Sequence, residues 1–253
     1  MDDRYLKIIN NNLSDKNSGF ILIDKEKDWT SFDVVAKLRT ITKIKKIGHA
    51  GTLDPFATGL LVVAIGKATK LLDLLIGQNK TYQATMILGQ ESDTYDITGK
   101  ISTSSNTKIF SQEEIKTVLT KFIGRQEQIP PMFSAKKLNG KKLYELARQG
   151  IEVERKAKSI NIYSLVLEKY DFPRVTFSVN CSTGTYIRSL AHDLGRSLGC
   201  GALLEDLRRT SVAGIDVSWA TTIGVLTEDW RDKLLPLDEM SKWIETNTDL
   251  PII

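Results

Sequence analysis

Four stretches rich in apolar residues limit what this chain can fold into, because they are strands of two different kinds. "FILID" at 20–24 and "LLVVAIG" at 60–66 are apolar almost without a break, the pattern of strands buried on both faces. "KTYQATMILG" at 80–89 alternates instead, putting Tyr82, Ala84, Met86 and Leu88 on one face of a half-buried strand. "VTFSVNC" at 175–181 alternates in the same way, through Val175, Phe177, Val179 and Cys181. A doubly wound parallel fold asks for uniformly buried strands with a helix after each one. This chain mixes its strand types and spaces its helices irregularly. The pattern predicts an α+β fold: a mixed, mostly antiparallel sheet flanked by helices.

The helices announce themselves at their ends. In "TSFDVVAKLRTITK", Thr30 and Asp33 stand at capping-box spacing before a stripe of Val34, Val35, Leu38 and Ile41. "SQEEIKTVLTKFIG" repeats the device with Ser111 and Glu114, and Gly124 is the expected stop. Ile187, Leu190, Leu194 and Leu198 stripe a third helix. Between the second and third lies 125–158, mostly basic and broken by a double proline. It reads as an excursion from the core, carrying one short helix that stops at Gly150. Residues 1–18 look like a flexible lead-in and 226–253 like a short acidic tail, leaving 19–225 as the main domain. No internal repeat is visible.

The 253 residues suffice for a sizeable core. The longest apolar run, "LLVVAI", is far short of the roughly 20 residues needed to span a bilayer. "MDDRYLK" lacks the apolar stretch of a signal peptide. Cys181 and Cys200 make no disulfide framework, so the chain reads as cytoplasmic and reduced. Net charge is only +4, but it is unevenly spread. Residues 34–80 hold eight basic against two acidic side chains, and 136–158 eight against three. Either block alone could be a solvated face. Together they point to a polyanionic partner, from which the acidic C-terminal stretch should stay away.

Standard chemical motifs fail in turn. "AIGKATK" lacks the first glycine and the hydroxyl of a phosphate loop. "DTYDITGK" at 93–100 has the wrong ligand spacing for calcium and reads as an ordinary turn. The two histidines and two cysteines show no zinc spacing, and no serine or cysteine sits in a nucleophile motif. What remains is "GHAGTLDPFATGLL" at 48–61, with one carboxylate, Asp54. Asp-Pro can simply start a helical turn, with Asp as N-cap and Pro at N1. The glycines at 48, 51 and 59 also suit a loop pressed against a large ligand.

That stretch resembles the signature of the TruB-type tRNA pseudouridine synthases. The likeness continues in order through "LIDKEKDWTS", "KTYQATMILGQESDTYD", "IPPMFSAKKLNGKKLYELARQGIEV", "CSTGTYIRSLAHDLG" and "GCGALLEDLRRTSVAG". It implies the pseudouridine synthase fold with a basic thumb insertion at about 125–152, and isomerisation of the uridine at position 55 in the tRNA T loop. It also implies that no cofactor, metal or obligate protein partner is needed; with no coiled-coil seam, a monomer is expected. Family roles fall on Asp54 as the catalytic aspartate, Tyr82 as the tyrosine stacking on the target base, and Arg188 as the arginine paired with the aspartate. Tyr186 falls beside Arg188 in the pocket, His49 on the histidine inserted into the T loop, Leu207 on a leucine lining the uracil pocket, and Lys25 on a basic residue near the site. The PUA domain familiar in bacterial members is not expected, since only some 30 residues follow the core. Two rival functions stand beside this one: a non-catalytic tRNA-binding or folding protein, and a nucleoside N-glycosidase.

Overall fold

The computed structural model describes residues 3–12, 15–103, 108–134, 136–138 and 140–247. They form two compact units, one of residues up to 82 and from 208 onward, the other of 83–207.

The first unit contains α1 (Asp3–Asn10), β1 (Gly19–Lys25), α2 (Ser31–Thr42), β2 (Ile47–His49), β3 (Thr58–Ile65), α3 (Leu72–Ile76) and the start of β4 (Lys80–Leu88). The two apolar runs become β1 and β3, paired antiparallel along their whole length from Gly19↔Ile65 to Lys25↔Gly59. Both are buried on both faces, for a reason visible in the alternation. Phe20, Leu22, Leu60, Val62 and Ala64 enter one core cluster; Ile21, Ile23, Leu61, Val63 and Ile65 enter another. α2 starts as expected, with Thr30 Oγ1 accepting from Asp33 N at 3.0 Å and Asp33 Oδ2 accepting from Thr30 N at 2.9 Å. Val34, Val35 and Leu38 of its stripe face the second cluster.

The second unit continues with β5 (Gln90–Ser92), β6 (Ile101–Thr103), α4 (Gln112–Lys121), β7 (Gly124–Gln128), β8 (Lys137–Leu138), β9 (Lys141–Lys142), α5 (Leu143–Arg148), β10 (Lys158–Asp171), β11 (Arg174–Cys181), α6 (Ile187–Leu198) and the start of β12 (Ala202–Val212). β10 pairs antiparallel with both β11 and β7. On β11, Val175, Phe177, Val179 and Cys181 are buried, as the alternation requires. α4 packs on β10 and on α6. It has its capping box, with Glu114 N donating to Ser111 Oγ at 3.2 Å, but ends at Lys121, three residues before the glycine expected to stop it. Gly124, at φ 98°, instead opens β7.

The chain then returns to the first unit through the rest of β12, β13 (Ile215–Asp216) and α7 (Leu237–Asn247). There β3 pairs antiparallel with β2 and parallel with β12, and β13 antiparallel with β12. The result is a mixed sheet of mostly antiparallel strands flanked by helices.

Three segments differ from expectation. Residues 3–10 are helical, with Tyr5 and Ile9 buried one turn apart in the first cluster. The acidic C-terminal stretch carries α7, whose Leu237 and Met240 enter that cluster, and Trp230 is 2% exposed. Residues 1–2, 13–14 and 248–253 of these segments lie outside the described residues. The excursion begins after 128 rather than at 125, because 124–128 is a strand in the sheet. Its short helix, α5, ends before Gly150 at φ 73°.

Gly59 is where β3 passes β12 most tightly. It lies opposite Arg209 in the parallel register at φ 101°, and a Cβ there would stand 2.7 Å from the Arg209 backbone nitrogen. Gly59→Ala is expected to cost more than about 3 kcal/mol, through both strain and overlap. A guanidinium unfolding midpoint would show it.

Candidate active site

In the first unit the Asp54 loop is built as a turn. Ala57 N donates to Asp54 O at 3.1 Å, placing Asp54 first and Pro55 second in a four-residue turn that runs straight into β3. No helix follows, so the N-cap reading of Asp-Pro does not hold. Three buried side chains grip the backbone around the carboxylate. Ser31, at the start of α2, holds Leu53 at both ends: Leu53 N donates to Ser31 Oγ at 2.9 Å and Ser31 Oγ donates to Leu53 O at 3.2 Å. Lys25 Nζ donates to Pro55 O at 3.2 Å as well as to Trp29 O and Glu26 O. Arg209 donates to Gly51 O at 3.1 Å and to Leu60 O at 2.7 Å. The Asp54 side chain itself is only half-buried.

Lys25 is 1% exposed. Burial pulls its ammonium down to about 8, while the charge of Asp54 favours the protonated form and that of Arg209 disfavours it. Lys25 and Asp54 therefore sense each other's charge. His49 ends β2, opposite Val63. Burial, and then the Arg209 guanidinium, lower its pKa, so the ring is neutral near pH 7. Tyr82 lies on the buried face of β4, 8% exposed.

Tyr186, Arg188 and Leu207 belong to the second unit. Tyr186 precedes α6, and its backbone is bracketed by one side chain: Tyr186 N donates to Gln128 Oε1 at 2.8 Å and Gln128 Nε2 donates to Tyr186 O at 3.0 Å. Arg188, 4% exposed, donates to Thr94 O at 3.1 Å and to Phe133 O at 2.8 Å, and lies 3.3 Å from Asp96 Oδ2. Asp96 also accepts from Thr94 Oγ1 at 2.7 Å and from Thr98 N at 2.9 Å. The "DTYDITGK" stretch is a turn, but one whose carboxylate holds the arginine. Leu207 is 5% exposed on β12.

Sequence reading missed Ser31, Arg209 and Asp96. Arg209 left a faint signal, a second arginine in a strand where alternation turns one of two neighbours inward. Its neighbour Arg208 points to Asp24, 2.7 Å away. Among the described residues, no group of three or more His, Cys, Asp or Glu side chains could hold a metal ion. No helix among them is long and apolar enough to cross a membrane.

Solved structures share this architecture. A Cbf5-Nop10-Gar1 complex matches over 90% of this chain with TM-score 0.70 at 27% identity, and an archaeal box H/ACA sRNP Nop10-Cbf5 complex over 94% with TM-score 0.67 at 26%. The chain spans 63% of the matched chain in each, less than two thirds of its length. In sequence, the model of the TruB family pseudouridylate synthase N-terminal domain matches residues 39–187. That of the tRNA pseudouridylate synthase B C-terminal domain matches 188–241. By class, then, the chain matches the pseudouridylate synthases.

It belongs to the TruB family. The tRNA pseudouridine synthase B of Geobacter sulfurreducens is 48% identical over 210 residues, covering 83% of this chain and 69% of the relative. That of Chlamydia felis is 53% identical over 192 residues, covering 76% and 81%, and that of Syntrophotalea carbinolica 43% over 226, covering 88% and 74%.

Proposed function

We propose that this chain isomerises uridine to pseudouridine in tRNA, at position 55 of the T loop, with Asp54 as the catalytic carboxylate. The supporting observation is the loop itself: the backbone at positions 51, 53 and 55 is fixed by buried Arg209, Ser31 and Lys25, while Asp54 among them is only partly buried. Holding a reacting group in place before substrate arrives is what positional catalysis asks of a protein.

The reaction breaks the N1–C1′ bond, turns the uracil and joins C5 to C1′. The proton leaving C5 balances the one N1 acquires, so atoms and electrons close without an outside reagent. In this reading Arg188 is the arginine that serves Asp54, with Tyr186 beside it. Tyr82 stacks on the target base and Leu207 lines its pocket. His49 supports the unstacked arrangement of the T loop. A neutral ring there suits stacking against RNA without adding charge. Unstacking costs a few kcal/mol, offset by stacking on Tyr82. The basic blocks at 34–80 and 136–158 hold the phosphate backbone without reading bases.

Mass mapping of pseudouridine in T-arm RNA tests the assignment, together with tritium release from C5-labelled uridine. A non-catalytic tRNA-binding protein releases none, and an N-glycosidase releases free uracil. Tyr82→Phe keeps the ring and loses the hydroxyl. It is expected to bind tRNA within about twofold of wild type while kcat falls by roughly tenfold or more, since only the hydroxyl is lost from the reacting complex. Collapse of binding instead makes Tyr82 structural.

A further inference from the structure

The second unit holds a cavity of about 500 Å³ lined by none of the residues proposed to touch the reacting uridine. It is lined by α6, β7, β10 and the residue that follows α4, and its size suits a small planar ligand. One wall is an aromatic stack: the Tyr95 and His192 rings lie 4.0 Å apart with their planes 14° from parallel. Phe122 lines it further along. Tyr95 reaches the stack from a left-handed backbone at φ 63°. A bulky residue rarely adopts that conformation, and such residues concentrate where a site is held in shape.

Two further side chains with polar groups line the cavity. Arg155 is 15% exposed, and its two terminal nitrogens reach Pro130 O and Glu152. His192 Nδ1 lies 3.5 Å from Glu91 Oε1. Asp193 and Arg196, one turn apart on α6, add an acceptor and a cation. Burial pushes the Asp193 carboxyl up and the Arg196 charge pulls it back.

An aromatic wall selects a flat ring. A carboxylate selects a ring edge rich in N–H donors, and guanine presents two side by side. The guanidiniums select an anionic substituent. We infer that this cavity is a nucleotide site, in which Asp193 reads the N–H edge of a guanine-type base and Arg196 with Arg155 takes its phosphate. The nucleotide is either free or an unstacked residue of an RNA, and both present the same chemistry.

Titration calorimetry of the full chain with GMP, and with ribose 5-phosphate as the control, tests this. GMP is expected to bind with a Kd below about 1 mM and at least about tenfold more tightly than ribose 5-phosphate. Asp193→Asn and Arg196→Ala should each weaken GMP by about tenfold or more, the effect of losing one charged hydrogen bond. Their melting temperatures should be unchanged, and kcat on T-arm RNA should stay within about twofold of wild type. If tRNA displaces GMP and both variants raise KM for tRNA, the bound nucleotide belongs to RNA. If GMP and tRNA bind together, it is free. No GMP binding by the wild type at about 5 mM overturns the site, as does equal binding of ribose 5-phosphate or binding that survives both substitutions. The comparison of the two wild-type ligands decides the matter even if a variant fails to fold.

Discussion

Asp54→Asn is expected to remove all measurable pseudouridine formation and leave tRNA affinity within about threefold of wild type. The substitution is clean because of where the residue sits. Asn is as well suited as Asp to the first position of a four-residue turn, so the Ala57–Asp54 backbone hydrogen bond should persist. The grips of Ser31 on Leu53, Lys25 on Pro55 and Arg209 on Gly51 are made to neighbouring backbone and do not depend on the carboxylate. Only the negative charge goes. A second readout follows from Lys25, whose pKa of about 8 is set by burial and partly restored by Asp54. Without that charge Lys25 should titrate below its wild-type value, measurable by the pH dependence of amine labelling. The sign for stability is fixed by the same shift. Lys25 binds its proton less tightly folded than unfolded, so its contribution is fully present above its ordinary 10.5 and lost as pH falls through about 8. Residual turnover by Asp54→Asn would remove this residue from the reaction, and an unchanged Lys25 titration would show that the two groups are uncoupled.

The parts of this structure legible in sequence are those encoded locally. β1 and β3 could be read because strands buried on both faces must be apolar at every position, and their alternate residues do enter separate clusters. The Thr30–Asp33 and Ser111–Glu114 boxes could be read because both partners lie within one turn. β7 could not: "GRQEQ" is polar throughout, and only its pairing with β10, some 34 residues away, makes it a strand. α1 was hidden by its charged surroundings, since among its residues with described side chains only Tyr5 and Ile9 are deeply buried. At the site, Asp54 and Lys25 stood out through motif resemblance, whereas Ser31 and Arg209 did not, because their tasks are hydrogen bonds to backbone 22 and 158 positions distant. No local pattern encodes such a bond. The same holds for Asp96, whose turn was recognised but whose partner lies 92 residues further on.

Asp96→Ala should carry the largest stability cost of any single truncation at this site. The Asp96 carboxylate is 3% exposed and serves several groups at once: Arg188 at 3.3 Å, Thr94 Oγ1 at 2.7 Å and Thr98 N at 2.9 Å. Alanine takes a counter-charge from a buried guanidinium and leaves three further donors, Thr94 Oγ1, Thr98 N and Thr98 Oγ1, short of an acceptor. Breaking a buried ion pair from one side typically costs about 3–5 kcal/mol. In a chain of this size that lowers the melting temperature by on the order of 10 °C. Asp96→Asn separates charge from scaffolding. Its amide oxygen can still accept from Thr98 N, so the turn should hold and most of the stability return. Thr94 O and Phe133 O still fix two guanidinium nitrogens of Arg188, so the arginine stays near its place with an altered electrostatic balance. If Arg188 serves the reaction, Asp96→Asn should lower kcat by about tenfold or more with KM nearly constant, because the loss falls on the reacting complex rather than on RNA docking. A variant as unstable as alanine but fully active would make Asp96 a fold-holding residue alone. A melting temperature unchanged in both variants would show that the Arg188–Asp96 pair carries no weight in the folded chain.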